Sequence, residues 1–253
     1  LGATALTESP LTRITRSTGE KGEPAWRLHA GSREIESRFL VAADGRNSTV
    51  ARLLGIAEKK RPRRVAFQTH IPLPDDMGDR VLLKVLPEGY CGANPVNERE
   101  LNLCLVSRPD TIPEIKAWAA RTFDVPTETK WNSITPLARA DYDPAPEPGL
   151  FLVGDAARVV EPFTGEGMYY GMRTAQLASD AIRQMLAPGT DASRTLEAFR
   201  RRYRDLYRNR LWVNRLTRLA VTNPALGNAF ITAGKAFPGL LPYLTSKVIR
   251  GAG

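Results

Sequence analysis

Two short stretches hold residues whose types and spacing suit them to chemistry. In "FLVGDAARVVEPFTGEGMYYGMRTAQLASDAI", residues 151–182, an apolar run ends in Gly154-Asp155 and passes through a glycine-rich turn into a long helical pattern. A carboxylate at the end of a buried strand is costly unless polar groups meet it. In open α/β sheets the same place, outside the carboxyl end of a strand, is where ligands bind. Gly154 lets a ligand approach the backbone, and Asp155 can accept hydrogen bonds from sugar or ribityl hydroxyls. Gly165 and Gly167 keep bulk away from the helix start. The first helical amides carry its positive end, roughly half an elementary charge. Such an end suits an anion, including one that forms during reaction. The simpler alternative is Thr164 capping the helix, with the glycines serving the turn alone.

The second stretch, "VAADGRNSTVAR", residues 41–52, repeats the pattern: apolar strand, Asp44-Gly45, short turn, helix with Arg52. Alone, Asp44 is a turn residue and Ser48 an N-cap. Paired with the Gly-Asp stretch at a spacing that leaves room for a second domain, the two become specific. Glu166 reads as a capping carboxylate or a proton donor, capping being the simpler role.

The elements that must position these residues are an α/β set. Residues 10–45 contain short alternating runs, "TRITR", "AWRLHA" and "REIESRFLVAAD", separated by turn signals. The last run ends in "FLVAADG", apolar enough for a strand covered on both faces in a parallel or mixed sheet. "NSTVARLLGI" predicts a helix with Val50, Leu53 and Leu54 on one face, Asn47 or Ser48 as N-cap and Gly55 as stop. "FLVGDAA" is a second buried strand, and a helix is expected from about Glu166 to Leu186. Between them, proline- and glycine-punctuated runs predict a mostly antiparallel sheet with one short helix, "PEIKAWAARTF". The expected organisation is residues 1–61 and 141–190 as pieces of one domain, 62–140 as an inserted α+β domain, and 191–253 as a helical C-terminal region.

Bulk properties bound the partners. The 253 residues carry a net charge of +9, with 42% hydrophobic and 25% charged residues, an ordinary globular composition. No apolar run approaches the ~20 residues of a membrane-spanning helix. Cys91 and Cys104 offer neither a disulfide framework nor metal-ligand spacing, so a reducing, cytoplasmic location is expected. Nine arginines fall between Arg194 and Arg218, against only Glu197 and Asp205. Such a strip can attract anionic lipid or a phosphorylated cofactor, or simply be a solvated helix face. It makes peripheral membrane contact a candidate, and without a nucleic-acid motif no nucleic acid is expected. His29 and His70 lack tuning partners, and both read as structural or surface residues.

The two stretches resemble the flavoprotein oxidoreductases of the para-hydroxybenzoate hydroxylase fold. Their D-G motif, A-D-G-x-x-S-x-x-R, is matched by Ala43, Asp44, Gly45 and Ser48, with Arg52 one residue late. Their G-D motif, G-D-A-A-x-x-x-x-P-x-x-G-x-G, is matched by Gly154, Asp155, Ala156, Ala157, Pro162, Gly165 and Gly167. The run "TGEGMYYG" is most similar to the geranylgeranyl reductase branch. The resemblance implies a three-layer, Rossmann-like FAD-binding domain, here partial, with an inserted antiparallel substrate domain. It implies that Asp155 bonds the ribityl chain of FAD, and that Gly165, Glu166, Gly167 and Met168 face the pyrimidine side of the ring. Asp44, Gly45 and Arg52 would support the pyrophosphate side. NADPH or NADH would be the electron donor. The family's leading G-x-G-x-x-G turn is absent, and the chain opens on Leu1, so a preceding segment is expected. A family strand of the form Y-x-W-x-F-P is met here only by Tyr90 and Pro95, with Tyr90 and Asn94 the candidate substrate contacts. The implied activity is reduction of carbon–carbon double bonds in an isoprenoid-like or other apolar small molecule. The alternatives are an NAD(P)H-dependent monooxygenase, including halogenase-like variants, and a non-catalytic binding remnant.

Overall fold

The structure, a computed structural model, describes residues 2–19, 22–57, 64–134, 142–160, 165–208, 219, 223–237 and 239. The chain divides into two compact units. The first comprises Leu1–Lys60, Ala138–Val160 and Glu166–Tyr207, the second Arg61–Leu137, Glu161–Gly165 and Arg208–Gly253.

In the first unit, β1 (Leu11–Thr18), β2 (Pro24–Ala30) and β3 (Arg33–Ser37) form an antiparallel meander in the order β1-β2-β3. Trp26 of β2 is buried, and the Arg16 guanidinium lies 3.7 Å above its ring. Arg16 also bonds the Glu147 carboxylate at 2.9 Å and the Pro148 carbonyl at 2.9 Å. One cation therefore joins the meander to the loop that leads into β10 (Leu150–Leu152). The run expected as one strand up to Asp44 is two: Arg38 and Phe39 separate β3 from β4 (Leu40–Ala42). β4 pairs in parallel with β10, which is wholly buried. β4 departs from the expected two-sided burial, because Val41 is 41% exposed while Ala42 is buried.

Two long helices complete the first unit. α3 (Gly167–Leu186) buries Tyr170, Thr174, Leu177, Ala178 and Ala181, a helical stripe at the spacing that faces a core. α4 (Ala192–Arg208) buries Thr195, Phe199, Tyr203 and Tyr207, each four residues on from the last. Tyr207 stacks on Tyr170 with ring centroids 4.4 Å apart, and Phe199 meets Phe151 of β10 edge-on at 5.1 Å. Arg200 holds the loop before β10 through Asp143 at 3.0 Å and the Ala145 carbonyl at 2.6 Å. This packing groups α4 with the first unit and residues from 208 onward with the second, a division that cuts across the 191–253 segment.

The second unit is an antiparallel five-stranded sheet in the order β6-β7-β8-β5-β9, from β5 (Val65–Pro72), β6 (Leu82–Leu86), β7 (Gly89–Pro95), β8 (Glu100–Ser107) and β9 (Asn132–Ile134). α2 (Ile112–Phe123) covers one face, where Ile115 and Ala119 meet Cys91, Ala93, Leu101, Leu103 and Leu105. α5 (Pro224–Ala236) is capped by Asn223, whose side-chain oxygen accepts from the amides of Ala225 and Leu226. The α/β class with an antiparallel second sheet is as the sequence predicts. Burial, first, and the neighbouring Cys104 push the Cys91 thiol up to about 12.

Two outcomes test this packing. Phe199→Ala should lower stability by about 3–5 kcal/mol in urea unfolding, the usual cost of emptying a packed aromatic site. Cys91, protonated at pH 8, should take up no iodoacetamide in the folded chain and label fully once denatured, as mass spectrometry would show.

Candidate functional site

β4 and β10 lie side by side in parallel, Leu40 opposite Leu150 and Ala42 opposite Leu152. The Val153 N–H extends the pairing to the Ala42 carbonyl at 3.0 Å. The Asp44-Gly45 and Gly154-Asp155 turns therefore leave the same edge of the sheet from adjacent strands. That is the carboxyl edge at which α/β folds place ligands.

After β4, Asp44 Oδ2 accepts from the Val50 N–H at 3.1 Å, and Ser48 Oγ accepts from the Ala51 N–H at 2.9 Å. Two side chains thus cap α1 (Thr49–Leu53), and Ser48 is the N-cap. α1 buries Val50 and Ala51, while Leu53 is exposed, so the expected apolar face is turned from Leu53 toward Ala51. Gly55 closes the helix at φ +70°. Arg52 is exposed and, among the described residues, reaches Thr49 Oγ1 at 3.3 Å on its own helix.

After β10 the chain turns within a short 3-10 segment, Gly154–Ala156. Gly154 has φ +54°, and a Cβ there would lie 3.2 Å from the Cα of Gly171 on α3. The Gly154 N–H donates to Thr174 Oγ1 at 2.8 Å, and that hydroxyl donates to the Tyr170 carbonyl at 2.7 Å. The Gly154 carbonyl accepts from the amides of Ala157 and Arg158 at 3.1 and 3.0 Å. Both backbone groups of Gly154 are satisfied inside the protein, and Asp155, half-buried, is presented by a turn that has no slack. Gly171 and Thr174 were missed by the motif reading. Their signal was a small residue and a polar one on the otherwise apolar stripe of α3.

At the start of α3, Glu166 holds the N-cap position but makes no capping bond through its side chain. The expected capping carboxylate is corrected: the Glu166 carbonyl opens the helix by accepting from Tyr170 N–H at 3.1 Å, and the residue is buried, at 6% exposure. Gly165 has φ +68°, and no atom of the described residues lies within 4 Å of where a Cβ would sit there or at Gly167. Met168 is exposed on the first turn. Pro162 and Thr164 lie outside the described residues. Tyr90 and Asn94 belong to the second unit: Tyr90 is buried with Ala66 and Val106, and Asn94 accepts from Asn102 at 3.0 Å. His29 sits 3.7 Å from Glu34, and His70 is exposed. Among the described residues no His, Cys, Asp or Glu group could hold a metal, and no helix is long and apolar enough to cross a membrane.

The first unit's donor and acceptor set fits the polar flank of a flavin. It offers a half-buried carboxylate for hydroxyls, an open glycine position at Gly167 for close approach, and the amino end of a 20-residue helix for an electron-rich ring.

No protein-family model matches the chain. Over 200 residues it is 26% identical to the digeranylgeranylglycerophospholipid reductase of Thermoplasma volcanium, covering 72% of the chain and 50% of that protein. It is 24% identical over 168 residues to the 3-demethoxyubiquinol 3-hydroxylase of Escherichia coli K12, covering 60% and 42%. The crystal structure of PqsL, a probable FAD-dependent monooxygenase from Pseudomonas aeruginosa, superposes with a TM-score of 0.67 at 20% identity, covering 87% of this chain and 66% of that one. That of the Diels-Alderase PyrE3 of pyrroindomycin biosynthesis superposes with a TM-score of 0.74 at 17% identity, covering 95% and 55%. Over the part it covers, the chain has the fold of these two solved structures, and it spans about half the length of the curated relatives it matches.

The Gly154–Thr174 lock has a direct test. Thr174→Val strands the buried Gly154 amide and should lower stability by about 1–3 kcal/mol in urea unfolding, whereas Thr174→Ser, which keeps the hydroxyl, should lose markedly less.

Proposed function

We propose that this chain carries the flavin-contacting turns of an FAD-dependent oxidoreductase that reduces carbon–carbon double bonds in an isoprenoid-like or other apolar substrate. The observation that carries this reading is the pair of Asp-Gly and Gly-Asp turns leaving adjacent parallel strands at one edge, beside the amino end of α3. Similarity to the digeranylgeranylglycerophospholipid reductase of Thermoplasma volcanium supports the reductase branch.

Bound FAD would supply the redox chemistry, delivery of a hydride to carbon, with NADPH or NADH as the donor that restores it. Asp155 accepts hydrogen bonds from the ribityl hydroxyls, and Gly154 keeps the backbone close to them. Gly165, Glu166, Gly167 and Met168 line the approach to the ring, where the first amides of α3 stabilise negative charge. Pro162 belongs to the same sequence motif. Asp44, Gly45 and Arg52 stand on the pyrophosphate side. Asp44 serves there with the oxygen that does not cap α1, and Arg52 with a guanidinium that, among the described residues, bonds Thr49. Tyr90 and Asn94 are the substrate contacts.

A cytoplasmic protein resting on a membrane surface fits the charge of α4. Arg200 and Arg202 lie near Asp143 and Asp180, while Arg194, Arg201 and Arg204 are exposed without an ion-pair partner among the described residues. The likeness to a hydroxylase and to a monooxygenase fold supports a second reading, an NAD(P)H-dependent monooxygenase.

The flavin reading is tested by titrating the chain with FAD and following the visible absorbance of the ring. Asp155→Ala should weaken binding roughly 10- to 100-fold, the loss expected for hydrogen bonds to a charged acceptor. Equal affinity of the two proteins for FAD overturns the assignment. Oxygen uptake separates the two chemistries: consumption of oxygen in step with NADPH and with a hydroxylated product would replace the reductase by the monooxygenase.

A further inference from the structure

The Gly154–Ala156 turn has few side-chain atoms of its own to hold it. Gly154 has none, Ala156 and Ala157 offer one buried methyl each, and Asp155 is half-buried among them. A carboxylate on such a segment is only as fixed as the backbone that carries it. That backbone is held on both sides of Asp155. Before it, the Gly154 N–H donates to Thr174 Oγ1 at 2.8 Å. After it, the Arg158 N–H donates back to the Gly154 carbonyl at 3.0 Å.

The two sides meet again on α4. Thr174 passes its hydroxyl proton to the Tyr170 carbonyl at 2.7 Å, and the Tyr170 ring stacks on Tyr207 with centroids 4.4 Å apart and 11° between the planes. The Arg158 guanidinium lies over the same Tyr207 ring, 4.9 Å from its centroid. The contacts close a circuit, Gly154 to Thr174 to Tyr170 to Tyr207 to Arg158 and back to Gly154, with Asp155 on the arc between Arg158 and Gly154. Thr174, Tyr170 and Tyr207 are buried and Arg158 is half-buried, so water competes weakly for these contacts. Stacked rings and a cation over a ring both gain from that desolvation. Tyr203, one turn back on α4, supports Tyr207 with ring centroids 5.0 Å apart.

We propose that Tyr207 is a positioning residue for Asp155. Its ring closes the circuit that fixes the carboxylate for the hydroxyls it accepts from, and at 1% exposure it acts through Tyr170 and Arg158 rather than on a ligand. The last turn of α4, 52 residues from Asp155 in sequence, thereby sets how firmly the turn holds a cofactor. This deepens the proposed function, and it rests on that reading only for the identity of the ligand as flavin.

The test uses the whole chain, isotope-labelled, and follows amide hydrogen exchange at Gly154 and Arg158. Leu152 of β10, whose N–H donates to the Pro144 carbonyl at 2.8 Å, is the reference for unfolding of the unit as a whole. Tyr207→Leu removes the ring and should speed exchange at Gly154 and Arg158 about tenfold more than at Leu152, the scale of one lost aromatic pair. Tyr207→Phe keeps the ring and should hold both amides near their original rates. Thr174→Val opens the circuit from its other side and should loosen Arg158 as well. In the Thr174→Val chain, Tyr207→Leu should then add clearly less at Arg158 than it does alone. Equal acceleration at Leu152 and in the turn overturns the proposal, as does a full additional effect on top of Thr174→Val, or a Tyr207→Phe chain as loose as Tyr207→Leu. FAD titration of the same samples separates the two readings. A turn loosened as described, with FAD affinity equal in the unsubstituted and Asp155→Ala chains, sinks the flavin reading alone. An affinity that depends on Asp155 but not on Tyr207 sinks this inference alone.

Discussion

At Gly154 the chain leaves a fully buried strand and must turn beneath a helix whose backbone is as close as a side chain would be. A Cβ in that position would stand 3.2 Å from the Gly171 Cα, so the close approach demands glycine at the turn, and φ +54° suits glycine as well. The amide thus brought into the protein interior needs an acceptor, because an unsatisfied buried N–H costs as much as several ordinary contacts return. Thr174, from the next helix, supplies it. Everything that presents Asp155 depends on this contact: the direction of the turn, the seat of α3, and the place where the amino end of α3 emerges.

The rest of the first unit holds that contact from outside. β10 lies against Phe199 of α4, and α4 is anchored on α3 by the Tyr170–Tyr207 stack. Tyr170 is also the residue whose carbonyl accepts from Thr174, so aromatic packing and the turn's hydrogen bonding meet on one residue. Arg200 and Arg16 secure the loop before β10 from two sides, one from α4 and the other from the meander. The Gly154–Ala156 turn gains rigidity in this way.

The second unit solves a different problem. Its sheet buries one face under α2 with leucines on β8 that are wholly removed from solvent, so stability does not require the opposite face to be apolar throughout. That face is free to carry the amides of Gln68, Asn94 and Asn102. Half-buried polar groups survive there because they satisfy one another across three strands.

Much of this was legible in order along the chain. The D-G and G-D turns, the Ser48 cap, the Gly55 stop and the long helix after Glu166 follow from residues within a few positions of one another, since turns and caps are made of local backbone geometry. The antiparallel second sheet was legible from period-two patterning and proline punctuation. Other features were not. The break at Arg38 and Phe39, the exposure of Val41 and the burial of Glu166 without a capping role depend on what packs alongside, and no neighbour in sequence announces it. The lock between Gly154 and Thr174 spans 20 residues, and a side-chain hydrogen bond links Gln68 to Asn102 across 34. The sequence by itself determined which residues could turn, cap and alternate, because those preferences are set by each side chain and its nearest peptides. Only the tertiary structure decided which amide meets which hydroxyl, because that depends on where distant elements pack and which polar groups their burial leaves in need of a partner.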